Sequence, residues 1–300
     1  MPVASPKEHL PLPPATGRPA HEQTKDVDPD MQPTEYIPAP TRAGGAPARI
    51  LVSKVPAVTA TFWILKILTT GMGEAASDAL VRWGGIVAVA VTGLALAASF
   101  VVQFRAARYA PVVYWLAVAM VGVFGTMAAD IPHFLGIPLW ITSAGYLLAV
   151  LAIFAVWYRL EGTLSFASIT RGRREAFYWA AVVATFALGT AVGDLTADSW
   201  HLGNLVSGFL FCGLITLPVL ARRWFGLNYI AAFWTAYVLT RPLGASFADW
   251  MGGPTFRGGL GVPTALVAVL WGLAILGVAT CALISARRRA DGVDHPVATG

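Results

Sequence analysis

Residues 84–104 read GGIVAVAVTGLALAASFVVQF, twenty-one positions without a charged side chain. As a helix this stretch rises roughly 30 Å, the thickness of a bilayer's hydrocarbon core. Seven further apolar segments flank it, at about 55–75, 112–130, 136–158, 176–195, 202–220, 229–247 and 260–284. The expected fold is therefore an all-α membrane protein with eight transmembrane helices. The first, third, fifth and seventh segments carry Thr, Gly and single charges, so they are less apolar than the even ones.

Composition agrees. Hydrophobic residues make up 56% of the 300 and charged residues 12%, about half the charge of a soluble domain. Residues 1–54 hold 12 of the 37 charges, and residues 1–47 hold 11 of the 20 prolines. Such a segment buries too little apolar surface to offset its ordering entropy, and it lacks the apolar run of a signal peptide. The expected organisation is a disordered cytoplasmic tail over 1–54, a membrane domain over 55–285 and a cytoplasmic tail over 286–300. Cys212 and Cys281 fall within apolar runs, which disfavours a disulfide framework or a cysteine metal site. The net charge of +5 sits in loops beside spans and does not indicate nucleic acid.

Arginines set the expected orientation. Arg105, Arg108, Arg159, Arg171, Arg173, Arg174, Arg222, Arg223, Arg287, Arg288 and Arg289 lie in one set of loops, and only Arg82 and Arg257 in the other. The positive-inside rule puts the eleven in the cytoplasm. Eight spans then leave both termini there, in a bacterial inner membrane.

The odd segments repeat a motif. Segment one reads Thr70-Gly71-Met72-Gly73-Glu74 followed by Asp78; segment three reads Thr126-Met127-Ala128-Ala129-Asp130. Segment five reads Thr190-Ala191-Val192-Gly193-Asp194 followed by Asp198; segment seven reads Arg241-Pro242-Leu243-Gly244-Ala245 followed by Asp249. Segment three lacks the second acid and carries His133; segment seven puts Arg241 in the threonine position. Aromatic pairs precede each motif: Phe62-Trp63, Tyr114-Trp115, Tyr178-Trp179 and Phe233-Trp234. The repeats run about 55–104, 112–158, 176–220 and 229–284.

These residues, above all Phe62-Trp63-Ile64-Leu65-Lys66 followed by Gly73-Glu74-Ala75-Ala76-Ser77-Asp78, resemble a family of bacterial membrane proteins. Its members are built from four tandem repeats of unknown function, each with two transmembrane helices and a characteristic tryptophan. The resemblance covers about residues 55–285 and implies an architecture, not an activity. Two helices per repeat make the copies parallel, related by an axis along the membrane normal. All four motifs then lie at one depth.

Intramembrane ionisable groups are costly and mark pathways. Glu74, Asp130 and Asp194 are candidate ion ligands, with Thr70, Thr126 and Thr190 adding hydroxyls. Asp78, Asp198 and Asp249 form an outer acidic vestibule, or else sit idle in wet loops; Glu161 and Glu175 are assigned to a cytoplasmic loop. Lys66, mid-span, should pair with a carboxylate or shed its charge. Lys66 and Arg241 are read either as countercharges of a transport site or as parts of structural ion pairs. Gly71, Gly73, Gly189, Gly193 and Gly244 allow either close helix packing or a helix break. His133 and His201 near the acids make a weak oxygen-plus-imidazole set suited to Mn²⁺. The matched tryptophans point to packing or interface anchoring.

No Gly-x-Ser-x-Gly, His-Glu-x-x-His, phosphate loop or dinucleotide fingerprint is present, so no enzyme is indicated. The expected function is a transporter or channel for a small cation, a divalent metal such as Mn²⁺ preferred, with the bilayer as environment and no identifiable protein partner. A homo-oligomer is compatible with this. Two alternatives stand beside it: a membrane scaffold or stress-associated protein without transport, and an intramembrane metal-dependent hydrolase.

Overall fold

The computed structural model describes residues 53–293. The tail expected over 1–54 lies outside this range except for its last two residues. Within it the protein is helical, with no strand among the described residues. The helices are α1 (Ala60–Gly84), α2 (Ile86–Arg105), α3 (Pro111–Phe134), α4 (Leu139–Glu161), α5 (Arg173–Asp194), α6 (Gly203–Leu214), α7 (Thr216–Phe225), α8 (Tyr229–Gly252) and α9 (Thr264–Val293). Helix α9 runs on through residues 286–293, the first part of the expected tail.

Local sequence sets the ends. Thr59 caps α1 by accepting a 3.3 Å hydrogen bond from the Phe62 amide, and Asn228 caps α8 by accepting one of 2.8 Å from Ile230. Pro111 opens α3, where its missing N–H costs nothing. Gly162 and Gly226 end α4 and α7 in the left-handed conformation. One π-turn, Leu195–Ser199, follows α5.

The repeats interlock. Their first helices, α1, α3, α5 and α8, form an inner ring in which each packs on the next and α8 closes on α1. Their second helices form a peripheral ring, α6 and α7 acting as one broken member. Each of these packs mainly on the first helix of the following repeat: α2 on α3, α4 on α5, α6 on α8 and α9 on α1. The last described helix therefore returns to the first described one. Each inner helix is covered mainly by the outer helix of another repeat.

Six helical segments are long and apolar enough to cross a membrane: Ile86–Arg105, Pro111–Phe134, Leu139–Glu161, Arg173–Ser199, Gly203–Phe225 and Thr264–Ser285. This is a helical membrane protein. The eight expected spans become six by composition, because α1 and α8 fall short. Their polar residues explain it. Lys66, Thr69, Thr70, Glu74 and Ser77 of α1 and Thr240, Arg241 and Ser246 of α8 are all buried against other helices. A helix shielded by neighbours does not need an apolar surface.

Small residues let the inner helices approach. A Cβ on Gly73 would stand 2.8 Å from the Gly122 backbone, and one on Gly244 would meet Thr70 Oγ1 and, at 2.8 Å, the Ile67 carbonyl. Both α1 and α8 run unbroken through these glycines, so close packing is their role rather than a helix break. Gly73→Ala should cost about 1–3 kcal/mol, since backbone cannot move aside as a side chain can. Gly145→Ala in α4, where an added Cβ meets nothing within 4 Å, should be neutral or gain up to about 1 kcal/mol of helix propensity. Thermal melts in one detergent would separate the two.

Aromatic packing fills the arginine-rich half of the inner ring. Trp179 and Trp234 are buried. Phe100 of α2 packs on Trp179 at 5.2 Å between ring centres, and Phe154 of α4 on Trp234 at 4.9 Å. The Tyr114 and Tyr178 hydroxyls share a 2.6 Å hydrogen bond. The matched aromatics thus cement helices together.

Candidate functional site

Motif positions from different repeats meet on the axis of the inner ring. Arg241 of α8 occupies the place that threonine holds in the other copies, and its side chain is 1% exposed. Its Nη2 donates to Thr126 Oγ1 of α3 at 2.6 Å, to Thr190 Oγ1 of α5 at 2.9 Å and to Glu74 Oε2 of α1. Thr126 also donates to Glu74 Oε2 at 3.4 Å. One residue from each repeat therefore closes the axis, and a buried ion pair lies at its centre. Gly189 makes room: a Cβ there would stand 2.5 Å from the Arg241 side chain.

Thr70 departs from the expected role. Its hydroxyl donates to the carbonyls of Ile67 at 2.6 Å and Thr240 at 3.1 Å, fastening α1 to α8.

One helical turn toward the arginine-rich end stand Lys66, Gly122, Phe186 and Tyr237, again one per repeat and all buried. Of the two expectations for Lys66, a carboxylate partner or a shed charge, the first is not met. Its Nζ has no hydrogen-bond partner and lies 4.1 Å from the Phe186 ring centre and 4.4 Å from that of Tyr237. Glu74 points instead to Arg241, through Nη2 alone, while Lys66 sits eight residues back on the same helix, about 12 Å along its axis. Ring faces supply the attraction that Lys66 retains.

On the other side of the pair the acids gather. Asp78, Asp130, Asp194 and Asp249 are half-buried, one from each inner helix, and Glu74 lies beneath them. Asp249 feels the charges of Glu74, Asp78 and Asp194, and Asp130 those of Glu74 and Asp78. Asp78 and Asp249 stand on helices, not in loops; Asp78 also faces the exposed Arg82 at 3.8 Å. Asp198 lies in the π-turn and is exposed.

The expected metal-ligand set at the histidines is not assembled. His133 is exposed beside the intrahelical Pro132. His201, held at φ 56°, shares with Asp198 and Asp249 the wall of an open cleft of about 830 Å³. Among the described residues, no three of His, Cys, Asp and Glu come close enough to hold a metal ion.

One buried polar cluster escaped the sequence reading. Glu175, assigned to a loop, is in the first turn of α5 and 1% exposed. Lys54 Nζ donates to Glu175 Oε2 at 2.5 Å and to the Gln103 carbonyl at 2.9 Å, and Gln103 Nε2 donates to Glu175 Oε1 at 3.0 Å. Gln103 was the only available signal, a polar residue near the end of an otherwise apolar run. Glu161 ends α4 and accepts from Arg173 at 3.0 Å and Arg174 at 2.7 Å.

Four successive stretches, 61–109, 113–163, 177–226 and 232–288, match the family described as Repeat of Unknown Function (DUF347). The chain belongs to this family. Each DUF347 match holds one inner and one peripheral helix, so the boundaries of the family repeat and of the structural unit agree. The axial quartet takes one residue from every DUF347 copy. No curated protein and no solved structure matches the chain.

Proposed function

We propose that the protein is a transporter of a small cation, divalent metal preferred, whose path runs along the axis of the inner ring. The observation that carries this reading is the Glu74–Arg241 pair on the axis beneath four half-buried aspartates. The aspartates lower the energy of an approaching cation. The cation then competes with Arg241 for Glu74, and Thr126 and Thr190 are freed as hydroxyl ligands when the guanidinium withdraws. Lys66, one turn beyond, opposes free passage of positive charge. A carrier that exchanges Arg241 for its cargo fits these charges better than an open channel. Asp198 and Asp249 line the cleft by which a cation enters.

In this reading α1 and α8 also cross the bilayer, giving eight spans. With 25 and 24 residues they are long enough, and the peripheral helices shield their charges. The arginine-rich end faces the cytoplasm of a bacterial inner membrane by the positive-inside rule.

Reconstituted vesicles test the reading. Mn²⁺ flux above the rate of empty vesicles is expected for the wild type, and loss of that flux for Glu74→Gln with the melting temperature still cooperative. Flux unchanged in Glu74→Gln would remove Glu74 from the path. No flux of Mn²⁺, Mg²⁺, Zn²⁺ or Fe²⁺ by well-folded wild type would leave the pair as a structural lock in a protein without transport.

A further inference from the structure

The pseudo-fourfold ring allows the same place to be compared around the axis. Phe100 and Phe154 each stand nine residues before the end of their repeat match, and each covers the repeat tryptophan two copies further on. The same place in the fourth repeat is Ala279. Trp157, which also packs on Trp234 at 5.8 Å, corresponds likewise to Ala282. The tryptophan that α9 faces is Trp115. With alanine at both places, where the first two repeats carry Phe100, Phe154 and Trp157 and the third carries Leu217 and Leu220, Trp115 is only half-buried, and a groove of about 880 Å³ opens between α9 and α3 over the face of α1.

Phe62 and Leu65 form its floor, Trp115 and Ala119 one wall, and Gly272 and Ala279 the other. The lining is almost wholly apolar. Along α9 the groove runs from Val269 to Leu283, roughly 20 Å at the helical rise. That exceeds the ~15 Å of one leaflet and suits one extended acyl chain. The mouth is at the arginine-rich end, at Thr59 and Tyr109. Exposed Arg108 adjoins Tyr109 at that end, while exposed Arg288 of α9 lies nine residues beyond Ala279, half a turn round the helix from the groove. Only 6% of the α9 span is buried within the protein, so the groove opens to lipid.

We propose that this groove is a binding site for an anionic phospholipid, one acyl chain replacing the missing aromatic rings over Trp115 and the headgroup phosphate held by Arg108. The apolar lining selects the chain, and the guanidinium at its arginine-rich end favours a headgroup carrying a net negative charge.

Native mass spectrometry of the full-length protein in mild detergent tests it, with phosphatidylglycerol and phosphatidylcholine of identical chains as probes. Wild type should hold one phosphatidylglycerol in preference to phosphatidylcholine. Ala279→Phe restores the ring that two other repeats carry, so it should fold at least as well. It should weaken retention of both lipids by about tenfold or more, the loss expected from excluding two methylenes. Ala119→Leu, on the opposite wall, should do the same, while Leu270→Phe, outside the groove, should leave retention unchanged. Arg108→Gln should erase the preference for the anionic lipid, and Arg288→Gln, on the far face of α9, should keep it. Unchanged retention in both Ala279→Phe and Ala119→Leu overturns the proposal. A change of oligomeric state in Ala279→Phe with lipid retention intact would assign the groove to a second copy instead.

Discussion

Arg241→Met should destabilise the protein by about 3–5 kcal/mol, the penalty of stranding one charge of a buried pair. The substitution leaves Glu74 buried with only a long, 3.4 Å hydrogen bond from Thr126, and leaves the Thr126 and Thr190 hydroxyls without the donor they accept from. Glu74→Gln combined with Arg241→Met should recover most of the loss, because the remaining groups are neutral and similar in volume. The coupling is thus expected to be large, and a double-mutant cycle of melting temperatures in one detergent measures it. Near-additive losses would mean that the pair contributes little and that Arg241 acts chiefly through packing. The cycle also bears on transport: the neutral double variant should fold and yet carry no cation, separating the stability of the pair from its proposed exchange with cargo.

Lys66→Met should act in the opposite direction and stabilise the protein, by about 1–4 kcal/mol. The ammonium nitrogen is fully enclosed and forms no hydrogen bond. Its neighbours are the rings of Phe186 and Tyr237, against which a methionine packs well. A residue that costs stability and persists at the centre of a membrane bundle is the signature of function rather than folding. The prediction is read from the same melts. A clear loss of stability would show that the ring faces hold the charge more firmly than burial opposes it. Paired with vesicle flux, the variant shows whether Lys66 limits passage: a leak in Lys66→Met is the result expected for a charge barrier.

Much of this architecture is legible in the chain. Four copies of one motif, the even segments free of charge and the one-sided arginines together define the repeat, and parallel repeats place Glu74, Asp130 and Asp194 at one level. The pairing inside the ring was not legible. That Arg241 meets Glu74 depends on how far α8 is rotated against α1, and that rotation is set by contacts such as Gly244 against Thr70. Lys66, about two turns away on Glu74's own helix, is out of reach at any rotation. Glu175 was misplaced because its partner Lys54 precedes the first helix, 121 positions away. Composition leaves α1 and α8 out of the apolar set for a related reason: their polar surface is covered mainly by helices from other repeats. The histidines carried only a weak ligand signal in the spacing Asp130-x-x-His133, and His133 lies exposed.

The closure of α8 and α9 onto α1 bears on how the protein is made. Glu74 and Arg241 are 167 positions apart. At ribosomal rates of about 5–20 residues per second, α1 leaves the ribosome roughly 10–30 s before the helix that neutralises it. During that interval a carboxylate and a lysine on one helix have no countercharge from the last repeat, and the α1 face that α9 covers is bare. The nascent chain must therefore keep α1 in a polar setting, at the translocon or at the bilayer surface, until the fourth repeat emerges. Ribosome-stalled chains ending before Arg241 should hold α1 accessible to aqueous thiol reagents at a cysteine placed at Ser77, and longer chains should not. The order of synthesis and the order of burial run opposite ways round the ring, so the first described helix to be translated is the last to be enclosed.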